Sequence, residues 1–310
     1  MTLAVDGRGA GDAPGGRRGR FVSSVSEINE VRAREPQRIG ELLGARRRRD
    51  LFAAEGQLMI VACDHPARGA LGVSGRRNAM ADRVELLGRL ATALARPGVD
   101  GLLATADIAE DLLLMGALED KLVFSSLNRG GLQGSAFEID DRNTGYDVRG
   151  TLDARFDGLK MLTRIDLDDP ATVATLERQG RVVTECNRAG LVAMVEPFMS
   201  RRAGGKVVND LSPDAVIKSV AIASGLGSSS AYTWMKLPVV DEMERVMNAT
   251  TLPTLLLGGD PEGSPDETYA SWSAALALPS VRGLVVGRTM LYPADDDVAK
   301  AVDTAVGLLR

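Results

Sequence analysis

Eight short apolar runs, each followed by a segment of helical period or a candidate for one, predict a closed (β/α)8 barrel. The runs are apolar throughout rather than alternating, which is how strands covered on both faces read. At 310 residues the chain can enclose one large barrel or two ordinary domains. Its 34 glycines and few aromatics suit many tight strand-to-helix connections. Eight repeats favour closure over an open sheet, and no GxGxxG follows the first run.

Residues 1–20 are rich in Gly, Arg and Ala without periodicity and are expected to be a disordered tail. Residues 21–50 form a helical extension: Val25, Ile28 and Val31, then Ile39, Leu42 and Leu43, mark two short helices parted near Pro36. The run Arg46–Arg49 closes the second helix, where positive charge suits the helix dipole, and reads as a solvated face. Residues 51–310 carry the barrel. Its strands are Leu58–Cys63, Val99–Thr105, Leu122–Leu127, Leu159–Ile165, Leu191–Pro197, Tyr232–Pro238, Thr254–Leu257 and Gly283–Val286. Helices are expected over Arg76–Ala95, Ile108–Leu118, Thr151–Phe156, Ala171–Arg188, Pro213–Ser224, Asp241–Ala249, Asp266–Leu278 and Ala294–Leu309. Two irregular stretches, 68–77 and 128–146, either cover a substrate or are mobile. Gly225-Leu-Gly-Ser-Ser-Ser lies after a helix and before a strand, the wrong side for a phosphate loop.

Composition excludes several classes. A net charge of −5 and a pI near 5.2 argue against nucleic acid as the main partner. No apolar run approaches the ~20 residues that span a bilayer, and the N-terminus lacks a signal peptide's apolar core. Cys63 and Cys186 are far apart with no CxxC spacing, so a reducing cytoplasm is expected. With His65 as the single histidine, neither a histidine-rich zinc site nor a serine triad is a good fit; a carboxylate-bound magnesium site is left open by this count, though no cofactor or metal is expected.

In such a barrel chemistry sits where strands end at the C-terminal mouth. Reading those ends gives Asp64, Thr105, Asn128, Lys160 with Arg164, Glu196, Lys236, Gly258-Gly259 and Gly287-Arg288. Alternation puts Asp64 on one face with Ile60 and Ala62, and His65 on the other, where packing or capping is its expected role. Lys160 and Lys236 both project toward the axis. Burial disfavours an ammonium, and a second cation disfavours it further, so Lys236 can be a neutral amine that forms a Schiff base. Asp64 can then move protons. The alternative is an inert buried network of both lysines with Asp64 and Glu196. Glycines ending the last two strands let backbone amides approach an anion, and Arg288 adds a fork of donors.

Over roughly Gln57 to the C-terminus the chain resembles the class I, Schiff-base aldolases of the deoxyribose-phosphate, tagatose-bisphosphate and archaeal-type fructose-bisphosphate group. The marks, in order, are Ala-Cys-Asp-His-Pro, Gly-Leu-Lys-Met-Leu, Val-Glu-Pro, Met-Lys-Leu-Pro, Leu-Gly-Gly and Val-Gly-Arg-Thr-Met. The resemblance is nearest to an actinobacterial-like branch tied to sugar or inositol breakdown. It implies Lys236 as the imine lysine, Asp64 as acid/base and Lys160 as the second lysine. It also implies a phosphate cradle at Gly258, Gly259, Gly287 and Arg288. Glu196, Arg164 and Asn128 are then the candidate substrate-binding residues. Thr163-Arg164-Ile165-Asp166 stands where some relatives carry a tyrosine, which leaves the proton-transfer partner open. The implied partner is a phosphorylated ketose or keto acid, with 2-deoxy-5-keto-6-phosphogluconate the specific candidate, and a homo-oligomer is expected. A phosphosugar isomerase or epimerase without a covalent intermediate, or a non-catalytic phosphosugar-binding relative, fits the same residues.

Overall fold

The computed structural model describes residues 21–53, 55–128, 131–259 and 264–309. The stretch expected as a disordered tail lies outside them. Two helices, α1 (Val25–Arg34) and α2 (Gln37–Ala45), come first. Then follow β1 (Leu58–Cys63), α3 (Arg83–Leu94), β2 (Gly101–Ala104), α4 (Ala106–Leu114), β3 (Leu122–Ser126), α5 (Val148–Asp153) and β4 (Gly158–Ile165). The chain continues with α6 (Ala171–Ala189), β5 (Val192–Ala203), β6 (Lys206–Asn209), α7 (Pro213–Ser224), β7 (Thr233–Pro238) and α8 (Met243–Met247). It ends with β8 (Thr254–Leu257), α9 (Pro265–Leu276), β9 (Val281–Val286), α10 (Arg288–Leu291) and α11 (Val298–Val306).

Strands β1, β2, β3, β4, β5, β7, β8 and β9 pair in parallel in that order, and β9 returns to β1. The sheet is therefore the predicted (β/α)8 barrel. Alternate residues point to the axis, where Leu58, Ile60, Leu103, Phe124, Met194 and Val285 form one buried cluster. A second, larger cluster lies between strands and helices and takes in Ile28, Val31 and Leu42 of the extension. No helix among the described residues is long and apolar enough to cross a membrane.

Four elements differ from expectation, each for a local reason. The first barrel helix starts at Arg83, not Arg76, because Asp82 is its N-cap and accepts from the Glu85 amide at 2.9 Å. The segment before it turns at Gly75, whose φ is 79°. At the C-terminus the helix expected over Ala294–Leu309 starts later, as α11 at Val298, because Asp297 is its N-cap, and a short α10 that was not expected precedes Pro293. The helix expected over Asp241–Ala249 shrinks to the single turn of α8. The fifth strand runs on past Pro197 to Ala203 and pairs antiparallel with β6, joining Ala203 to Lys206. Gly204 and Gly205, with φ of 58° and 76°, make this two-residue hairpin turn. A Gly-Gly pair between residues of strand propensity was the available signal.

The arginine run is a solvated face only in part: Arg47 and Arg48 are exposed, but all four are tied to the barrel. Arg46 is 2% exposed, and its guanidinium donates to the carbonyls of Lys121 and Arg155, both at 2.8 Å. Arg47 pairs with Asp120, Arg48 with Asp157 at 2.9 Å, and Arg49 with Asp100. Those partners immediately precede β2, β3 and β4, so the run straps the N-terminal floor of the barrel, and Leu51 plugs it from below. An Arg46→Ala variant leaves two buried carbonyls unpaired and uncovers the ring of Phe156, which the guanidinium overlies at 5.7 Å. We expect it to lose about 2–4 kcal/mol of stability. In urea unfolding the midpoint falls and the slope is unchanged.

Candidate active site

Alternation places Lys160 of β4, Glu196 of β5 and Lys236 of β7 on the axis side, above the apolar interior. They meet there. Lys160 Nζ donates to Asp64 Oδ2 at 2.9 Å and reaches Glu196 Oε2 at 2.6 Å. Lys236 Nζ donates to Glu196 Oε1 at 2.9 Å, and Ser126 Oγ donates to Asp64 Oδ2 at 3.3 Å. The result is a chain, Ser126–Asp64–Lys160–Glu196–Lys236, in which all members are buried except for a small exposed part of Glu196.

The two lysines are not equivalent. Burial pushes the Lys160 ammonium down, but Asp64 and Glu196 together outweigh it and hold the group above its ordinary range. For Lys236 burial comes first and the Lys160 charge adds to it; Glu196 and Asp64 offset this in part, leaving the amine below 10.5. Burial raises both carboxyls, yet Lys160 above all holds Asp64 well below the carboxylate range and, with Lys236, brings Glu196 to about 2. Lys160 is thus the fixed cation, and Lys236 is the amine nearer to losing its proton.

Above this chain opens a cavity of about 400 Å³. Lys236 and Glu196 line it, whereas Asp64 and Lys160 are not part of its wall. The expected cradle residues Gly258, Gly259, Gly287 and Arg288 all line it, as does Arg164. Gly287 is also required by packing, since a Cβ there would sit 2.2 Å from the Ala62 carbonyl. Gly259 has φ 68° and open space around it, so its backbone conformation is the reason for glycine. Asn128 lies apart from the cavity. Its amide donates to Asp141 at 2.9 Å and to the Leu162 carbonyl at 2.5 Å, and its oxygen accepts from the Leu162 amide. It staples β3 to β4 rather than facing the cavity. The 128–146 stretch is packed where it is described: Ile139 is fully buried and Glu138 pairs with Arg164 at 3.1 Å.

Arg68, Trp272 and His65 also line the cavity, and none was among the expected site residues. The face expected for His65, away from Asp64, is corrected. β1 ends at Cys63, and His65 adopts φ −63° and ψ −42°, a helical turn to which strand alternation no longer applies. The ring swings back to the mouth, makes no capping bond, and leaves Nδ1 3.8 Å from Asp64 Oδ1. Burial, then Arg288 and Arg68, outweigh Asp64 and lower the imidazole to about 3. His65 is therefore expected to stay neutral from pH 5 to 8, and, as the only histidine, its ring resonances in an NMR titration should show no protonation step near 6.5. By linkage the unfolded state binds the extra proton, so this group removes stability as pH falls from about 6.5 toward 3.

Residues 56–306 match the model of the Cgl0159-like family. The chain belongs to that family. The crystal structure of Cgl0159 from Corynebacterium glutamicum is 59% identical, covering 91% of this chain and 95% of that one with a TM-score of 0.89. A Schiff-base-forming fructose-1,6-bisphosphate aldolase is 21% identical over 88% of this chain and 100% of its own, with a TM-score of 0.60. An archaeal fructose-1,6-bisphosphate aldolase, solved with its catalytic lysine bound to the carbinolamine intermediate, is 20% identical over 87% and 98%, again at 0.60. Likeness at this distance shows the (β/α)8 barrel fold. No curated protein matches the chain.

Proposed function

We propose that this protein is a class I aldolase that breaks or makes a carbon–carbon bond in a phosphorylated ketose or keto acid through an imine on Lys236. The observation that carries the reading is a lysine whose amine is buried, shifted toward neutrality and open to a cavity on one side. An inert ion-pair network needs no such cavity.

In this reading Glu196 does the nearby proton work, because it is the carboxylate that both lines the cavity and touches Lys236. The neutral amine attacks the ketone carbon, and Glu196 takes the proton that nitrogen loses. Glu196 returns it to the former carbonyl oxygen, giving the carbinolamine hydroxyl, and a second proton from solvent, passed through Glu196, lets that hydroxyl leave as water and gives the iminium. Glu196 then accepts the proton of the hydroxyl on the carbon that becomes the aldehyde. The electron pair of the breaking C–C bond flows into the iminium to form an enamine, and protonation followed by water releases the product. Lys160, pinned by Asp64, keeps Glu196 ionised between these transfers. The substrate's phosphate sits at Gly258, Gly259, Gly287 and Arg288. Among phosphorylated keto acids, 2-deoxy-5-keto-6-phosphogluconate is the first to assay. Two free, buried thiols, Cys63 and Cys186, suit a reducing cytoplasm as the setting.

The deciding experiment is reduction with borohydride in the presence of dihydroxyacetone phosphate, followed by peptide mass spectrometry. A stable adduct on the peptide holding Lys236 is expected. An adduct elsewhere, or none, overturns the assignment.

A further inference from the structure

The cavity carries a second cationic wall that the cradle does not use. The ring order of the barrel puts β4 four strands from β9 in either direction, so Arg164 on β4 stands across the mouth from Arg288, which follows β9. β7 lies two strands from each, which sets Lys236 midway between them.

On the β4 side Arg164 is neutralised by Glu138 at 3.1 Å. Arg68 ends the short turn Pro66–Arg68 after β1, a neighbour of β9 in the ring. Its carbonyl accepts from the Gln133 amide at 2.9 Å, in the stretch that carries Glu138, which brings it toward β4. Its charge is not neutralised. Among the described residues its guanidinium has no carboxylate within ion-pair distance, and its buried Nε has no hydrogen-bond partner. The nearby acids are already engaged: Glu138 with Arg164 and the Gly134 amide, Asp141 with Asn128 and the Gly131 amide. Arg68 also bears on Arg164 itself, lowering its affinity for a proton second only to burial. A half-buried guanidinium beside another one, facing a cavity, is costly unless something anionic arrives.

We propose that Arg68, with Arg164 behind it, forms a second anion subsite, so that the substrate bears an anionic group at both ends with its ketone between them at Lys236. This rests on the imine reading of Lys236. The near anion occupies the glycine cradle with Arg288. The far one, a phosphate or a carboxylate, is bound by the guanidinium of Arg68.

The test measures the half-saturating concentration for borohydride trapping with three probes on the full chain. Dihydroxyacetone phosphate has one anion, a 2-ketohexose 1,6-bisphosphate has a phosphate at each end, and a 6-phosphorylated 5-keto sugar acid has a phosphate and a carboxylate. At least one two-ended probe should saturate at about tenfold lower concentration than dihydroxyacetone phosphate. Which of the two does so identifies the far group. Arg68→Gln should raise that probe's half-saturation about ten- to a hundredfold more than it raises that of dihydroxyacetone phosphate. Equal saturation by all three probes, or an equal effect of Arg68→Gln on all, overturns the subsite and leaves the imine standing. If no probe gives an adduct, it is the imine reading that fails. The subsite is then judged by calorimetry of the bisphosphate and the sugar acid: binding weakened by Arg68→Gln supports it, and binding unaffected by that change overturns it.

Discussion

Lys236→Met is expected to abolish borohydride trapping and to lower the rate of C–C cleavage by about 10⁴-fold or more, because among the described residues no other amine faces the cavity with an adjacent proton acceptor. Methionine nearly matches the lysine stem in length, and Glu196 keeps its 2.6 Å contact to Lys160, so the fold should survive. A thermal melt within a few degrees of the parent would verify that the loss is chemical. In the parent, trapping should grow with pH, with a midpoint below the 10.5 of an ordinary lysine, since burial and Lys160 favour the neutral amine. Turnover that persists in Lys236→Met would instead favour the non-covalent isomerase or epimerase chemistry that the same cavity could host. Wild-type protein that binds phosphosugars tightly and turns none over would favour a sensing role.

Glu196→Gln should separate imine formation from turnover. The amide cannot take the proton of the breaking bond, so cleavage is expected to fall by about 10²–10⁴-fold. Lys236 loses its nearest anion and becomes easier to deprotonate, so the trapped adduct should still form, more slowly, with solvent moving the protons that Glu196 otherwise carries. Loss of the adduct together with turnover would show that Glu196 is needed for attack itself. The same variant changes stability in a pH-dependent way. In the parent, Glu196 sits at about 2 against an ordinary 4.5, so it contributes stability that is complete above about 4.5 and is lost as pH falls toward 2. Removing it leaves two buried ammonium groups sharing only Asp64, a loss of about 3–5 kcal/mol where both are charged. The loss should shrink at alkaline pH as Lys236 sheds its proton. Chemical denaturation at pH 5 and pH 9 measures the difference.

The parts of this molecule that were legible in its sequence are those governed by short-range periodicity. Apolar runs longer than alternation allows marked the barrel strands, and lysines inside such runs marked the axis. Once closure was inferred, the positions of Lys160, Glu196 and Lys236 followed, because alternation fixes which face each side chain takes. Their resemblance to known Schiff-base aldolases gave Lys236 its role. Local rules stopped working where the backbone left regular structure. His65 lies two residues beyond the last residue of β1, and a helical turn reversed the face it was expected to take. Arg68 sits in an irregular loop whose reach across the mouth no periodicity encodes.

The sequence by itself determined that a ring of strands would bring buried amines and carboxylates to one end, since hydrophobic pattern and chain length leave few other solutions. Only the tertiary structure decided which acid touches which lysine, and hence that Glu196 rather than Asp64 both touches Lys236 and lines the cavity. It also turned the Arg46–Arg49 run into a strap under the barrel by supplying carboxylates and carbonyls that lie 50 to more than 100 residues away. The physical reason is range. Backbone preference is set by neighbours along the chain, whereas proton affinity and ion pairing depend on charges a few ångströms away in space, and those distances exist only after the ring has closed.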